Sequence, residues 1–457
     1  MDEFPVYNPY SGIQLQSIPF SSEQEADKII QQAKHARKKM ADLSAFEKHA
    51  VLSEIVDELN QKKNEFTEII SQESGKPLMY AKSEVERAMA TFRIAAEECK
   101  RIPHELLDLD ASEKGKSLQG VYRYFPAGIV FGISPFNFPL NLAVHKIAPA
   151  IAAGCPIILK PSSKTPLTME LLKGVIDKTE LPENGFQLIH CSRKVGDYML
   201  EHPDIHVLSF TGSPEVGWEI KSKAGKKKVI LELGGNAAAI ICADANVNEA
   251  INQLTVGGFA YSGQVCIHTQ RIYISEKIID EFCKGFIEKV KLLTIGDPID
   301  SKTAFSVMID ESNAKRVEKW VNEAVASGAK MLLGGKRVGA YYPPTILTNV
   351  SKGQKVLEEE VFGPVVIIES FSDVDEAIDK VNDTKWGLQA SIFTNDITLK
   401  NKAFQELEVG GVIHNLATTF RVDEMPYGGI KDSGFGREGV KYAMMDYLEG
   451  KLLVERR

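Results

Sequence analysis

The sequence lacks paired or clustered cysteines: its six (Cys99, Cys155, Cys191, Cys242, Cys266, Cys283) form no CxxC and no zinc-type spacing. In a chain of 457 residues that excludes a small disulfide scaffold and leaves no metal site to expect. Reduced thiols in a cytoplasm are the expectation. A basic surface is also missing. Lys+Arg total 54 against 62 Asp+Glu, a net charge of −8, and the nearest thing to a basic stripe, Lys221 to Lys228, reads as a solvated helix end. Nucleic acid is therefore not an expected partner. The longest apolar run, Ile147 to Leu159, has 13 residues with two prolines between Lys146 and Lys160, short of the roughly 20 needed to span a bilayer. The opening MDEFPVYNPYSG lacks the basic and apolar regions of a secretion signal. Neither membrane association nor export is expected.

The chain's composition is globular: 44% hydrophobic and 25% charged residues, in a chain longer than the roughly 250 to 300 residues at which one core stops growing. About two or three domains are expected. Residues 22 to 100 carry helical periodicity with few breakers. From Val121 short apolar runs (GIVFGIS, CPIILKPS, GFQLIHC, IHVLSFTG, KVILELGG) alternate with helical stretches, the mark of βαβ units on a parallel sheet. A second alternating region begins after Gly235 with AAAIICAD, RIYISEKI and later PVVIIESF. The final YLEGKLLVERR reads as a strand without a sequence neighbour, a pattern expected where a strand completes another subunit's sheet.

Four stretches carry chemistry, each with a plain alternative. SGQVCIH puts Cys266 after a flexible turn, suited to a nucleophile, yet a single cysteine also serves as a small buried hydrophobe. LELGGN ends an apolar strand on Glu232, either a cap for the next segment or a general base where open α/β sheets hold ligands. GISPFNFPLN fixes Asn137 between aromatics and prolines, as an oxyanion donor or a buried turn residue. LSFTGSPEVGWEI reads strand, glycine turn, helix, so that Ser213 and the helix start can take a pyrophosphate, although it is neither a P-loop nor GxGxxG.

Together and in this order, PFNFPL, LELGG and GQVC, with 34 residues from Glu232 to Cys266, resemble the aldehyde dehydrogenase superfamily over nearly the whole chain. The resemblance implies an α/β protein of three parts. Residues 1–111 and 124–233 form a Rossmann-like dinucleotide domain, and 234–414 a catalytic domain. Residues 112–123 and 434–457 form a small β oligomerisation extension, while 415–433 return near the active site. It also implies a homodimer or homotetramer, Cys266 as nucleophile, Glu232 as base and Asn137 as oxyanion donor. For NAD or NADP it implies Ile133, Ser134, Lys160, Gly212, Ser213, Gly217, Glu360 and Phe362. CoA is not the expected acceptor, because Glu232 is present to hydrolyse a thioester.

Two departures set further expectations. Where NAD-preferring members often carry Glu, this chain has Ser163 followed by Lys164, with Arg193 and Lys194 in the next turn, which favours NADP. Around the aldehyde tunnel Arg87, Asn141, His145 and Arg421 are polar, and His268 is a packing or pocket residue. The alternative for the arginines is an ion pair with a local acid such as Glu84 or Asp423. EVERA, PSSK and FRVDEMPYGGIKDSGFGREGVKYAM look like the lactaldehyde dehydrogenase-like branch. A small hydroxylated or anionic aldehyde (lactaldehyde, sulfolactaldehyde or phospho-aldehyde type) is expected. Rival readings are a succinate semialdehyde-type substrate, or a non-catalytic protein on the same fold.

Overall fold

The computed structural model describes residues 3–457. A hairpin of β1 (Glu3–Tyr7) and β2 (Gln14–Pro19) opens the chain. Four helices follow: α1 (Glu23–Asp42), α2 (Ala45–Gln61), α3 (Lys63–Ser74) and α4 (Leu78–Glu98). Their starts are written locally: Ser22 and Ser44 accept from the N–H of Glu25 and Glu47, whose carboxylates reach back to the capping residue. Gly75 ends α3 in the left-handed region.

After β3 (Glu105–Asp108) and β4 (Leu118–Pro126) the alternating pattern appears as β5 (Ile129–Ile133), α5 (Asn141–Ala153), β6 (Ile157–Lys160), α6 (Leu167–Ile176) and β7 (Phe186–Leu188). It continues through α7 (Arg193–Glu201), β8 (Ile205–Thr211), α8 (Pro214–Lys223) and β9 (Lys228–Glu232). These strands are parallel, in the order β9-β8-β5-β6-β7. The chain runs outward from β5 through β6 to β7, then returns to the other side of β5 as β8. The strand order therefore reverses between β5 and β8, and a crevice opens at their carboxyl ends. Ile133, Lys160, Thr211 and Glu232 stand at those ends.

The second unit comprises β10 (Ala237–Ile241), α9 (Val247–Phe259), β11 (Thr269–Ser275), α10 (Ile279–Lys291), α11 (Glu311–Ala326), β12 (Lys330–Leu333) and β13 (Thr345–Thr348). It goes on with α12 (Lys355–Glu358), β14 (Val365–Phe371), α13 (Val374–Asn382), β15 (Trp386–Gly387), β16 (Gln389–Phe393), α14 (Ile397–Glu406) and β17 (Gly411–His414). Seven of these strands form one sheet in the order β12-β13-β14-β11-β10-β16-β17, parallel except for β12. Every residue of β10 and β16 is buried, as expected of strands covered on both faces.

The chain then crosses back as β18 (Ile430–Lys431), β19 (Gly434–Phe435), α15 (Val440–Asp446) and β20 (Leu448–Arg456). Here the structure departs from expectation. The last strand is not left without a partner in its own chain: all nine residues of β20 pair antiparallel with β4, in a sheet ordered β20-β4-β3. The preceding residues do not join that sheet. β19 instead adds to the dinucleotide-type sheet beside β9, Gly434 opposite Glu232, and α15 packs on α5 and α4. Among the described residues no helix is long and apolar enough to cross a membrane.

One buried ion pair ties the helical lead-in to both later units. Lys76 and Glu84, both fully buried side chains, are in contact, and Glu84 Oε1 accepts from the N–H of Leu140 (2.8 Å) and Asn141 (3.2 Å) where α5 begins. The Lys76 ammonium lies 3.9 Å from the Phe138 ring centre and 4.7 Å from that of Tyr261. Lys76→Met leaves a buried carboxylate without its cation, so unfolding free energy should fall by about 3–5 kcal/mol in denaturant titration. A parent-like midpoint would show that the pair carries no stability.

Candidate active site

The strand ends open on a cleft of about 750 Å³, whose walls include Ile133, Ser134, Lys160, Ser163, Gly212, Ser213, Glu360 and Phe362. At the same cavity lie Asn137, Glu232 and Cys266. The structure thus brings together three residues that are up to 129 positions apart in sequence.

Cys266 comes after a turn in which Tyr261 (φ 46°), Ser262 (φ 53°) and Gly263 (φ 69°) are left-handed in succession. Two of these carry a side chain, so the turn is strained and must be held from outside. Tyr261 Oη donates to the Ser74 carbonyl (2.9 Å) and Ser262 Oγ to that of Ser306 (2.8 Å). At Gly263 a Cβ would stand 2.2 Å from the Gly363 carbonyl oxygen, so only glycine fits. Asn137 Nδ2 donates to the Gln264 carbonyl (3.0 Å), which fixes its amide beside the turn. An amide NH2 has two N–H groups, so a second donor remains. Edge-on contact of Phe136 with Phe362 (5.8 Å between ring centres) holds the same loop from the other side.

The Glu232 carboxyl is buried with neither oxygen hydrogen-bonded. Burial, and after it the charge of Glu438, pushes its pKa well above the usual carboxylate range. Burial pushes the Cys266 thiol up to about 12, and its Sγ lies 3.0 Å from Tyr427 Oη. Neither Tyr427 nor Glu438 is marked out by its local sequence. Lys146, which pairs with Glu438 (3.1 Å), has a readable signal: it is a lysine in a mostly apolar helix with no exposed face.

The cleft residues suit a dinucleotide. Ser134 Oγ is buried without a partner. Glu360 accepts only from the Gly235 N–H (3.1 Å), and burial raises its carboxyl to about 8. Ser213 begins α8 without closing a side-chain cap, leaving the helix N-terminus open to an anion. Gly217 does not line the cleft. It faces Leu233, where a Cβ would come within 2.3 Å, so it sets how closely α8 approaches the strand exit. Arg193 does line the cleft, but its guanidinium is paired with Glu219. Lys164 lies outside the lining, its ammonium 3.1 Å from Asp310.

Four of the residues expected on the substrate side lie together in one buried network apart from this cleft. Arg87, Asn141, His145 and Arg421 do not line the cleft. Asp423 gathers the first three: Arg87 donates to both its oxygens (2.7 and 3.2 Å), Asn141 Nδ2 lies 3.2 Å away and His145 Nε2 2.8 Å. Arg421 pairs with Glu438 (3.0 Å) and stacks 3.7 Å above the Tyr427 ring. The two arginines therefore take the ion-pair alternative, Arg87 with Asp423 and Arg421 with an acid beyond the nearby candidates. His268 is turned away altogether. Its Nε2 lies 2.9 Å from the Gly258 carbonyl in α9, and burial lowers its imidazole to about 4, hence neutral.

A parallel sheet opening at its reversal point on a long cleft, with a thiol at the inner end, is the architecture of a dinucleotide-dependent oxidoreductase. Comparison with known proteins narrows the class: the aldehyde dehydrogenase family model matches residues 1–453, and the chain belongs to that family. It is 42% identical to a 3-sulfolactaldehyde dehydrogenase of Priestia aryabhattai, covering 99% of this chain and 95% of the relative. Aldehyde dehydrogenase 21 of Physcomitrella patens, solved in complex with succinate, superposes with TM-score 0.98 at 45% identity, over 100% of this chain and 95% of that one. A glyceraldehyde-3-phosphate dehydrogenase of Methanocaldococcus jannaschii, solved with NADP, gives TM-score 0.95 at 40% identity over 100% of both chains. Members of this family are NAD(P)-dependent, and the cleft fits that cofactor.

With its thiol held high, Cys266 in the cofactor-free protein should alkylate slowly, the rate rising about tenfold per pH unit between about pH 7 and 9. Peptide mass spectrometry after iodoacetamide treatment reads this directly. A plateau below about pH 8 would mean a thiolate already formed.

Proposed function

We infer that the protein oxidises small polar aldehydes, with an anionic or hydroxylated head, to carboxylic acids through a thioester on Cys266. The observation that carries this reading is the convergence of Cys266, Glu232 and Asn137 on one cleft. The Cys266 thiolate adds to the aldehyde carbon, forming the C–S bond. The oxyanion so formed takes hydrogen bonds from the spare Asn137 N–H and the Cys266 backbone N–H. Lys160, Ser213 and Glu360 would hold a nicotinamide dinucleotide, which would supply the hydride acceptor needed to leave an acyl group on Cys266 Sγ. Glu232, ionised, then takes a proton from water as the water oxygen bonds to the acyl carbon. The C–S bond breaks, releasing the acid and the Cys266 thiolate, and the proton stays on Glu232. Because burial and Glu438 push the Glu232 pKa up, this step should slow as pH falls through it.

Two observations support the polar substrate. Within the buried network three cations, Arg87, Arg421 and Lys146, face Asp423, Glu438 and Glu232, so one positive charge is in excess while Glu232 carries its proton. Arg421 Nε is a donor buried there without a partner among the described residues. A sulfonate, phosphate or carboxylate offers both the charge and the acceptors. The names of the relatives, a sulfolactaldehyde dehydrogenase among them, point the same way. For the cofactor, Ser163 lines the cleft where it brings no carboxylate against a 2′-phosphate, and this supports NADP use.

Glu232→Gln should release about one equivalent of reduced cofactor per site in stopped flow and then stall, with the acyl group on Cys266 visible by intact mass. Parent-like steady-state turnover would refute the base. A panel of neutral, hydroxylated, carboxylated, phosphorylated and sulfonated aldehydes of matched length, assayed with NAD and with NADP, tests the substrate. Anionic members should exceed neutral ones in kcat/KM by about tenfold or more, and NADP should serve at least as well as NAD. Equal rates across the panel would remove the anionic reading.

A further inference from the structure

The nucleophile has one side-chain hydrogen-bond partner among the described residues, and the proposed mechanism does not use it. Tyr427 Oη lies 3.0 Å from Cys266 Sγ and makes no other side-chain hydrogen bond. The tyrosine is 4% exposed and held at three points. Its N–H donates to the Glu438 carbonyl (3.0 Å), and its carbonyl accepts from the Glu438 N–H (2.6 Å). Its ring carries the Arg421 guanidinium at 3.7 Å. Arg421 is fixed in turn by the Glu438 carboxylate (3.0 Å). A hydroxyl anchored this firmly has little freedom to seek another partner.

We propose that Tyr427 is the donor that orients Cys266 and stabilises its thiolate, with Arg421 polarising the phenol from the face of its ring. The proposal rests on Cys266 being the nucleophile. In the resting thiol either group can donate. Once the proton has left sulfur, only the phenol can, so the hydrogen bond favours the charged form. Asn137 cannot fill this role while its amide is committed to the Gln264 carbonyl and its spare N–H faces the oxyanion. A cation over an aromatic face draws electron density from the ring and makes its O–H a stronger donor. The other charged groups acting on the thiol are Glu360 and Glu232, which oppose ionisation, and Arg421, which favours it. Burial keeps the phenol protonated and so available to donate. The same contact fixes direction: a sulfur bonded to Tyr427 presents its remaining lone pairs to the cleft.

The test is Tyr427→Phe, which keeps the ring beneath Arg421 and removes only the hydroxyl. In cofactor-free protein the thiolate's ultraviolet absorbance should appear about one pH unit later than in the parent, and iodoacetamide should modify Cys266 about tenfold more slowly at each pH on the rising limb. The thermal midpoint and NADP affinity should stay at parent values. A merely structural role would change access, and hence alkylation, without moving the thiolate absorbance. An unmoved absorbance profile in the folded variant overturns the proposal. Tyr427→Leu, read in the same way, serves if the Phe variant does not fold. Because these readouts need no turnover, they stand apart from the nucleophile assignment. That assignment fails separately if Cys266→Ala still oxidises aldehydes.

Discussion

The Glu438 carboxylate is buried where three parts of the chain meet. Lys146 reaches it from α5 (3.1 Å), Thr211 Oγ1 from the end of β8 (3.4 Å) and Arg421 from the returning segment (3.0 Å). A buried anion is costly unless it is paired and hydrogen-bonded on several sides. Although burial pulls its pKa up, Lys146 and Arg421 hold Glu438 down at about 2, so it stays charged. That fixed charge locks the returning segment, and with it Tyr427, onto the dinucleotide-type unit. Without this anchor nothing in the local sequence of residues 415–433 would keep an aromatic ring against a thiol donated by the other unit.

The same charge separates two carboxyl groups that would otherwise titrate alike. Glu438 has cations on two sides and ionises, whereas Glu232 lies in the same buried region with no hydrogen-bond partner and is pushed toward its neutral form by burial and by Glu438. Pairs of acids driven apart by environment are how one site holds a permanent anion beside a proton acceptor. Gly428 shows how tightly this is built: a Cβ there would stand 2.7 Å from Glu232 Oε1, so the return segment passes directly over the acid.

Legibility in the sequence tracks the range of the interactions. The capping pairs Ser22–Glu25 and Ser44–Glu47, and the buried parallel strands, are local or periodic features, and they were legible. So was the grouping of Cys266, Glu232 and Asn137, because their motifs resemble a family whose members bring them together. The pairing of β20 with β4 came only with the family resemblance, and that of Arg87 with Asp423 only as an alternative. Each joins segments more than 300 residues apart, and nothing near either end specifies the other. The arginines show why: a guanidinium at a pocket position has the same local sequence whether it meets a substrate or a carboxylate of the protein. For His268, expected as a packing or pocket residue, closeness in sequence to Cys266 did not decide between the two, since it says nothing about side-chain direction once the backbone leaves a strained turn.

The pairing of the arginines constrains selectivity instead of abolishing it. A free buried guanidinium would demand an anion and would destabilise the empty site. Arg87 and Arg421, each already satisfied by a carboxylate, leave a surplus of one charge spread over Arg87, Asp423, His145, Arg421, Glu438 and Lys146. An arriving anion is attracted by that surplus without the site having to break a pair. An uncharged hydroxylated head can still accept from Arg421 Nε, and its O–H can donate to His145 Nδ1, since the neutral imidazole keeps its proton on Nε2 toward Asp423. Such a site grades its substrates by charge and does not admit or reject them outright. Under the proposed reading the same network also reaches the nucleophile, because Arg421 is stacked on the tyrosine that touches Cys266.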